Sequence, residues 1–214
     1  MLTAIFADAR AYKLINESSE ASIDSTGLES RFVSRHFLMR QGKRTQRYRK
    51  WTKLTIVCDN ASHLIAGAVV SVGPSNDCPY LPEAVGQAVE NLAIDRLLAD
   101  AGYDAEANHK LCREELGIRS TVIPVNDRHR KRGQTTGRYR REMKKSFPKR
   151  NYRQRWQVES VVSRMKRRLG NALRARDEQA RAAESLFRVL TYNLMILYLL
   201  FKMSFSNVKT IFLN

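Results

Sequence analysis

The stretch Tyr152-Arg-Gln-Arg155-Trp-Gln-Val-Glu159-Ser-Val-Val-Ser-Arg-Met-Lys166 constrains the fold most, because it reads as a helix with two distinct faces. At about 100° per residue, Tyr152, Arg155, Glu159 and Lys166 fall within roughly a 60° arc. Val158, Val161, Val162, Met165 and Leu169 form an apolar stripe centred roughly 80° away. Such a helix must pack on a core along the stripe. It then presents one carboxylate, flanked by cations, at the stripe's edge. An acid in that setting suits a group that helps hold a metal ion, with the cations aimed at phosphates. The plainer reading is a solvated ion pair between Arg155 and Glu159, four residues apart.

The remainder of the chain supplies strands and helices in alternation. Residues 3–16 suit a helix. Residues 54–58 and 64–70 are rich in β-branched side chains and read as a hairpin turning at Asp59–His63. A helix over 83–95 leads to a short apolar strand, 97–99, that ends at Asp100. Asp104 is placed to cap a helix over 105–116, which Gly117 stops. Residues 120–125 read as a strand and 178–203 as a long helix. The lead-in to Asp24 is polar, and periodicity announces no strand there. No internal repeat or low-complexity linker divides the 214 residues, so a single α/β layered domain is the economical expectation.

Charge narrows the choice of partner. The net charge is +17 and the isoelectric point about 10.2, which favours a polyanion, nucleic acid being the commonest. Two acid-poor tracts, 31–53 and 127–151, hold much of the excess. Aromatics interleave the first: Phe32, Phe37, Tyr48 and Trp51. Together the tracts could follow the phosphates of a duplex. Cys58, Cys78 and Cys112 have no metal-site spacing and suit a reducing cytoplasm. The apolar segment 186–205 has an uncharged core, 189–201, shorter than the roughly 18–20 residues that span a bilayer. It reads as a buried helix, with no membrane role expected.

The spacing Tyr152, Arg155, Glu159, Lys166 resembles the third acidic motif of the DDE transposases of bacterial insertion sequences, in the IS-four-like superfamily. Ile23-Asp24-Ser-Thr-Gly27 looks like the first acid motif. Leu97-Leu-Ala-Asp100-Ala-Gly-Tyr103-Asp104 looks like the second. The resemblance covers roughly residues 20–200. It implies a ribonuclease-H-like α/β domain over 20–205, a mixed sheet flanked by helices with basic connecting segments. Residues 1–19 would be a short helical lead-in and 206–214 a tail. The family usually carries a longer helical region before the first acid, so the chain is expected to be a fragment or a compact relative.

The resemblance also implies chemistry. Asp24, Asp100 and Glu159 would be the catalytic acids and would hold Mg²⁺, or Mn²⁺ as a substitute. Two such ions roughly 3.5–4 Å apart neutralise the attacking and leaving oxygens of a phosphodiester. The acids' mutual repulsion should raise their proton affinities when no metal is bound. Tyr152 and Arg155 would hold backbone phosphate and Lys166 would touch the DNA end. The partners would be double-stranded DNA, at transposon ends and target, and a second copy in a synaptic complex. Each acid also has a bland reading: Asp24 as a turn residue, Asp100 as a loop acid, Glu159 as a helix ion pair. Two rival functions are a nuclease of the same fold without strand transfer, and a non-catalytic DNA-binding remnant.

Overall fold

The strand that carries Asp24 has a polar sequence, and its neighbours explain how it forms. The computed structural model describes residues 2–30, 51–126 and 135–211. Strand β1 spans Ser19–Ser30 and pairs on both sides. One neighbour is antiparallel β2, Trp51–Asp59; the other is parallel β4, Ile94–Leu98. A backbone ladder on each edge satisfies the peptide groups whatever the side chains prefer, so tertiary pairing overrides weak strand propensity. The small Ser19, Ala21 and Ser22 are fully enclosed, where bulkier residues would crowd the covering layers.

Among the described residues, six strands form the sheet. Their order is β3-β2-β1-β4-β5, with β3 at Ile65–Gly73 and β5 at Ser120–Val122, and β6 at Ala172–Leu173 pairs with the far end of β1. The β2–β3 hairpin turns where the sequence indicates, and all of β2 beyond Trp51 is buried. This mixed sheet flanked by helices is the ribonuclease-H-like architecture expected above.

Side-chain alternation assigns the helices to faces. Helix α1 is Leu2–Ala11 and α2 is Leu81–Asn91. Gly67 of β3 lies against α2 so closely that a Cβ there would sit 2.2 Å from the Ala84 carbonyl oxygen. Gly67 pairs with Val57, and Val57 with Ile23, so α2 covers the Ile23 face. The opposite face, bearing Asp24, is met by α6, Trp156–Leu169, and by α7, Glu178–Ile211. Between β4 and β5 runs α3, Glu106–Lys110, which continues as a single wide turn over Leu111–Glu115.

Several expectations need correction. Helix α2 ends at Asn91 because Leu92 is already extended, and Ile94 enters β4 by pairing with Ser19 of β1, with Asp95 at the register shift that follows. Asp104 does not cap α3, whose N-cap is Ala105. It is buried instead in a bidentate pair with Arg140, at 2.8 and 2.6 Å, and also accepts the Asn126 N–H at 2.7 Å. That pair anchors α4, Arg138–Lys145, so the basic connection is partly helical there, and α5, Lys149–Tyr152, follows. Residues 31–50 and 127–134 of the basic tracts, Tyr48 included, lie outside the described residues. Lys53 is not presented to phosphates: it is buried, with Nζ 2.7 Å from both Asp77 and the Ser75 carbonyl. Trp51, at the start of β2, is exposed.

Helix α7 is long and apolar enough to cross a membrane by length and composition alone. Here it packs on the sheet through Val189, Tyr192, Ile196 and Leu197. Asn193 clamps the backbone of Ile65 in edge strand β3, accepting its N–H and donating to its carbonyl, both at 2.8 Å. The helix is therefore only half of what the sequence indicates, because Phe187, Leu194 and Tyr198 face outward.

Replacing Gly67 by Ala should destabilise the fold by about 1–3 kcal/mol, because backbone rather than a mobile side chain must yield. Urea unfolding of the two proteins measures this; equal midpoints would mean that α2 shifts freely.

Candidate active site

Parallel pairing places the two upstream acids at one end of the sheet. Asp24 lies at the middle of β1, and Asp100 follows β4 by two residues. Both lie just past the carboxyl end of the parallel pairing between the two strands, where open α/β sheets commonly form their sites. Glu159 arrives on the first turn of α6, which packs on β1 and β2. Val158, Val161 and Met165 bury the stripe, with Val162 and Leu169 partly covered. The helix is also held by the β2–β3 turn, where His63 bonds Gln157 at 2.7 Å and meets Arg164 at 3.2 Å. It ends at Gly170, whose φ of 87° favours glycine.

Arg155 joins two of the acids. It precedes α6 in a short 3₁₀ turn, Arg153–Arg155. Its Nη2 donates to Glu159 Oε1, and its Nη1 stands 3.7 Å from Asp24 Oδ2. The plain helix ion pair is thus present, extended to an acid from the central strand. Tyr152 is half-buried at the end of α5, with its ring edge-on to Phe147. Burial pushes its phenol pKa up. Asp100 accepts the Gly102 N–H at 2.7 Å, capping the 3₁₀ turn Ala101–Tyr103.

Electrostatics single out Asp24. Its pKa is pushed up to about 6, chiefly by burial, with Asp100 and Glu159 adding to the rise. The Ser25 N–H and Arg155 oppose it. Repulsion among the acids is thus felt at one of them. A cleft of about 550 Å³ opens between β1 and α6, walled by Asp24, Thr26, Glu159, Lys166, Arg167 and Asn171. Burial lowers the Lys166 ammonium pKa, with Glu29 opposing. Trp156, the first residue of α6, is exposed.

The donor set is all oxygen, which suits a hard divalent cation. Among the described residues no three acid, His or Cys side chains stand together closely enough to hold a metal. What the structure shows between Asp24 and Glu159 is the Arg155 guanidinium, a cation in the position where their charge needs one.

Sequence reasoning missed the residues that hold the acids in place. Ser25 and Tyr103 sit inside the quoted motifs but carry no charge to draw notice. Arg167 and Asn171 line the cleft without belonging to any motif. Asp77 approaches the Asp100 turn: a Cβ on Gly102 would lie 2.8 Å from Asp100 Oδ1 and 3.3 Å from Asp77 Oδ2.

The sheet is thus mixed α/β, with Asp24 and Asp100 just past the pairing of its central parallel strands and Glu159 on a covering helix. The family model for the transposase DDE domain matches residues 16–194, and the chain belongs to that family. No curated protein matches the chain.

Burial of Asp24 has a consequence for stability. Its folded pKa lies above the ordinary carboxylate value of 3.8. Its contribution is therefore most favourable below about pH 4 and is lost as pH rises through about 6. In metal-free buffer at pH 7.5, Asp24→Asn should be more stable than wild type by about 1–3 kcal/mol, and the gap should close near pH 4. Thermal melts across that range provide the check; a less stable variant at pH 7.5 would contradict the burial cost.

Proposed function

We propose that this domain catalyses metal-dependent cleavage and strand transfer of DNA at insertion-sequence ends. The observation that carries the reading is the gathering of Asp24 and Glu159 around a single cation in a cleft walled by Lys166 and Arg167. Asp100 enters from the neighbouring parallel strand and is close enough to raise the Asp24 pKa. Asp24, Asp100 and Glu159 would hold Mg²⁺, or Mn²⁺ in its place. Divalent ions bound there would neutralise charge on the attacking and departing phosphodiester oxygens.

The chain's own side chains do the rest. Arg155 offers a planar fork suited to a phosphate, and Tyr152 stands beside it. Lys166 supplies a point charge further along α6. Glu159, at the cleft mouth, is the acid best exposed to orient a nucleophilic water or a 3′-hydroxyl. The positive balance of the whole chain draws duplex DNA toward the cleft. Joining two transposon ends calls for a second copy of the chain. The domain would act on DNA in the bacterial cytoplasm.

The test is nicking and joining on supercoiled plasmid with Mn²⁺ or Mg²⁺. Wild type should nick only with metal, and Glu159→Gln should lose about 10²-fold or more of the rate. Joined products would select strand transfer over simple hydrolysis. DNA binding without cutting by the wild type would sink the catalytic reading and leave a binding remnant.

A further inference from the structure

The backbone ladder between β1 and β4 stops short of both acids. Its last pair is Ser22 with Leu98, two residues before Asp24 and two before Asp100. Beyond that point the strands carry their acids without main-chain bonds to each other. A hydroxyl chain spans the gap. Tyr103 Oη and Ser25 Oγ share a hydrogen bond of 2.8 Å, and Ser25 Oγ and Thr55 Oγ1 share another of 2.8 Å. Ser25 directly follows Asp24, and its N–H donates to Asp24 Oδ1 at 2.9 Å.

The other end is equally tied. Tyr103 N–H donates to the Asp100 carbonyl at 3.2 Å, and Gly102 N–H to the Asp100 carboxylate at 2.7 Å. The Tyr103 carbonyl accepts from Asn108 at 3.0 Å. Asp100 and Tyr103 therefore move as one turn. The phenol is fully buried, and a buried hydroxyl that lost its partner would pay a desolvation cost. The shared bond is correspondingly well defined in place.

We propose that Tyr103 is a positioning residue: through Ser25, its phenol fixes the Asp100 turn against the Asp24 strand where strand pairing has ended. The proposal rests on the reading of Asp24, Asp100 and Glu159 as one metal-holding centre. Tyr103 touches no reacting atom in this role; it sets the separation of two carboxylates that must grip together. Groups that orient metal ligands from behind typically govern affinity by about 10–100-fold.

The experiment uses the full chain as wild type, Tyr103→Phe, Ser25→Ala, Ser25→Thr and the Tyr103→Phe/Ser25→Ala double variant. Mn²⁺ binding is measured calorimetrically without DNA, alongside the metal dependence of plasmid nicking and the thermal melt. Tyr103→Phe and Ser25→Ala should each weaken Mn²⁺ binding about 10-fold, and together no more than either alone. Ser25→Thr, which keeps the hydroxyl, should stay near wild type. Unchanged Mn²⁺ binding in Tyr103→Phe, even with a lower melting temperature, overturns the proposal, as does a double variant whose losses multiply. If Tyr103→Phe does not fold, Ser25→Ala decides by the same readout. A wild type that neither binds Mn²⁺ nor cuts DNA would instead sink the three-acid reading on which this rests.

Discussion

The pairing of β1 on both edges is the constraint from which the site follows. A central strand has its peptide groups satisfied from left and right, and helices cover both faces. Its side chains must then be small, apolar or supported. Ser19, Ser22 and Ile23 meet that demand with small size or apolar surface. Asp24 meets it only in part. It stands where the sheet opens toward the cleft, half-buried, and keeps one backbone hydrogen bond and a distant guanidinium. The strand that makes the fold possible thus also carries a carboxylate that burial penalises. A carboxylate only partly compensated in such a place costs stability, and a shifted carboxylate in a cleft is a candidate functional position.

How much of this was legible in the sequence depended on where the determining force lay. Helix α6 was legible because its stripe is local: Val158, Val161 and Met165 bury as the period requires. The β2–β3 hairpin was legible because β-branched runs flank a polar turn. Strand β1 was not, because two flanking ladders impose it on a polar sequence, and a ladder partner cannot be read from the strand itself. The start of β4 failed for the same reason: Asp95 looks helical locally but is held beside Arg119 at 2.7 Å in a strand. Asp104 misled because an acid before a helix is a cap by default, and its true partner, Arg140, comes from a distant segment.

The site was legible in its charges and opaque in its scaffolding. The motif spacings named Asp24, Asp100, Glu159 and Arg155, and the fold brings Asp24, Glu159 and Arg155 into contact range, with Asp100 electrostatically coupled to them. Nothing in the sequence distinguished Ser25 or Tyr103 from ordinary polar residues. Their role depends on two strands diverging at a particular register, which is a tertiary fact. Lys53 shows the converse. It lies in a strongly basic tract, yet burial beside Asp77 and a contact with the Tyr80 ring at 5.1 Å remove it from any surface.

Arg155 is where fold and function compete for one side chain. Its guanidinium faces Glu159 and Asp24 with the same planar group that, on the proposed reading, would grip a phosphate. In the arrangement described, the acids hold it. The gain of any other positive partner by Asp24 and Glu159 would weaken that hold and leave the fork free to turn into the cleft. On the proposed reading, arrival of positive charge at the acids and capture of a phosphate by Arg155 would be coupled through this one side chain. The coupling needs no moving domain, because both partners of Arg155 sit on elements that the core fixes: β1 through its two ladders, and α6 through its buried stripe and the His63 turn.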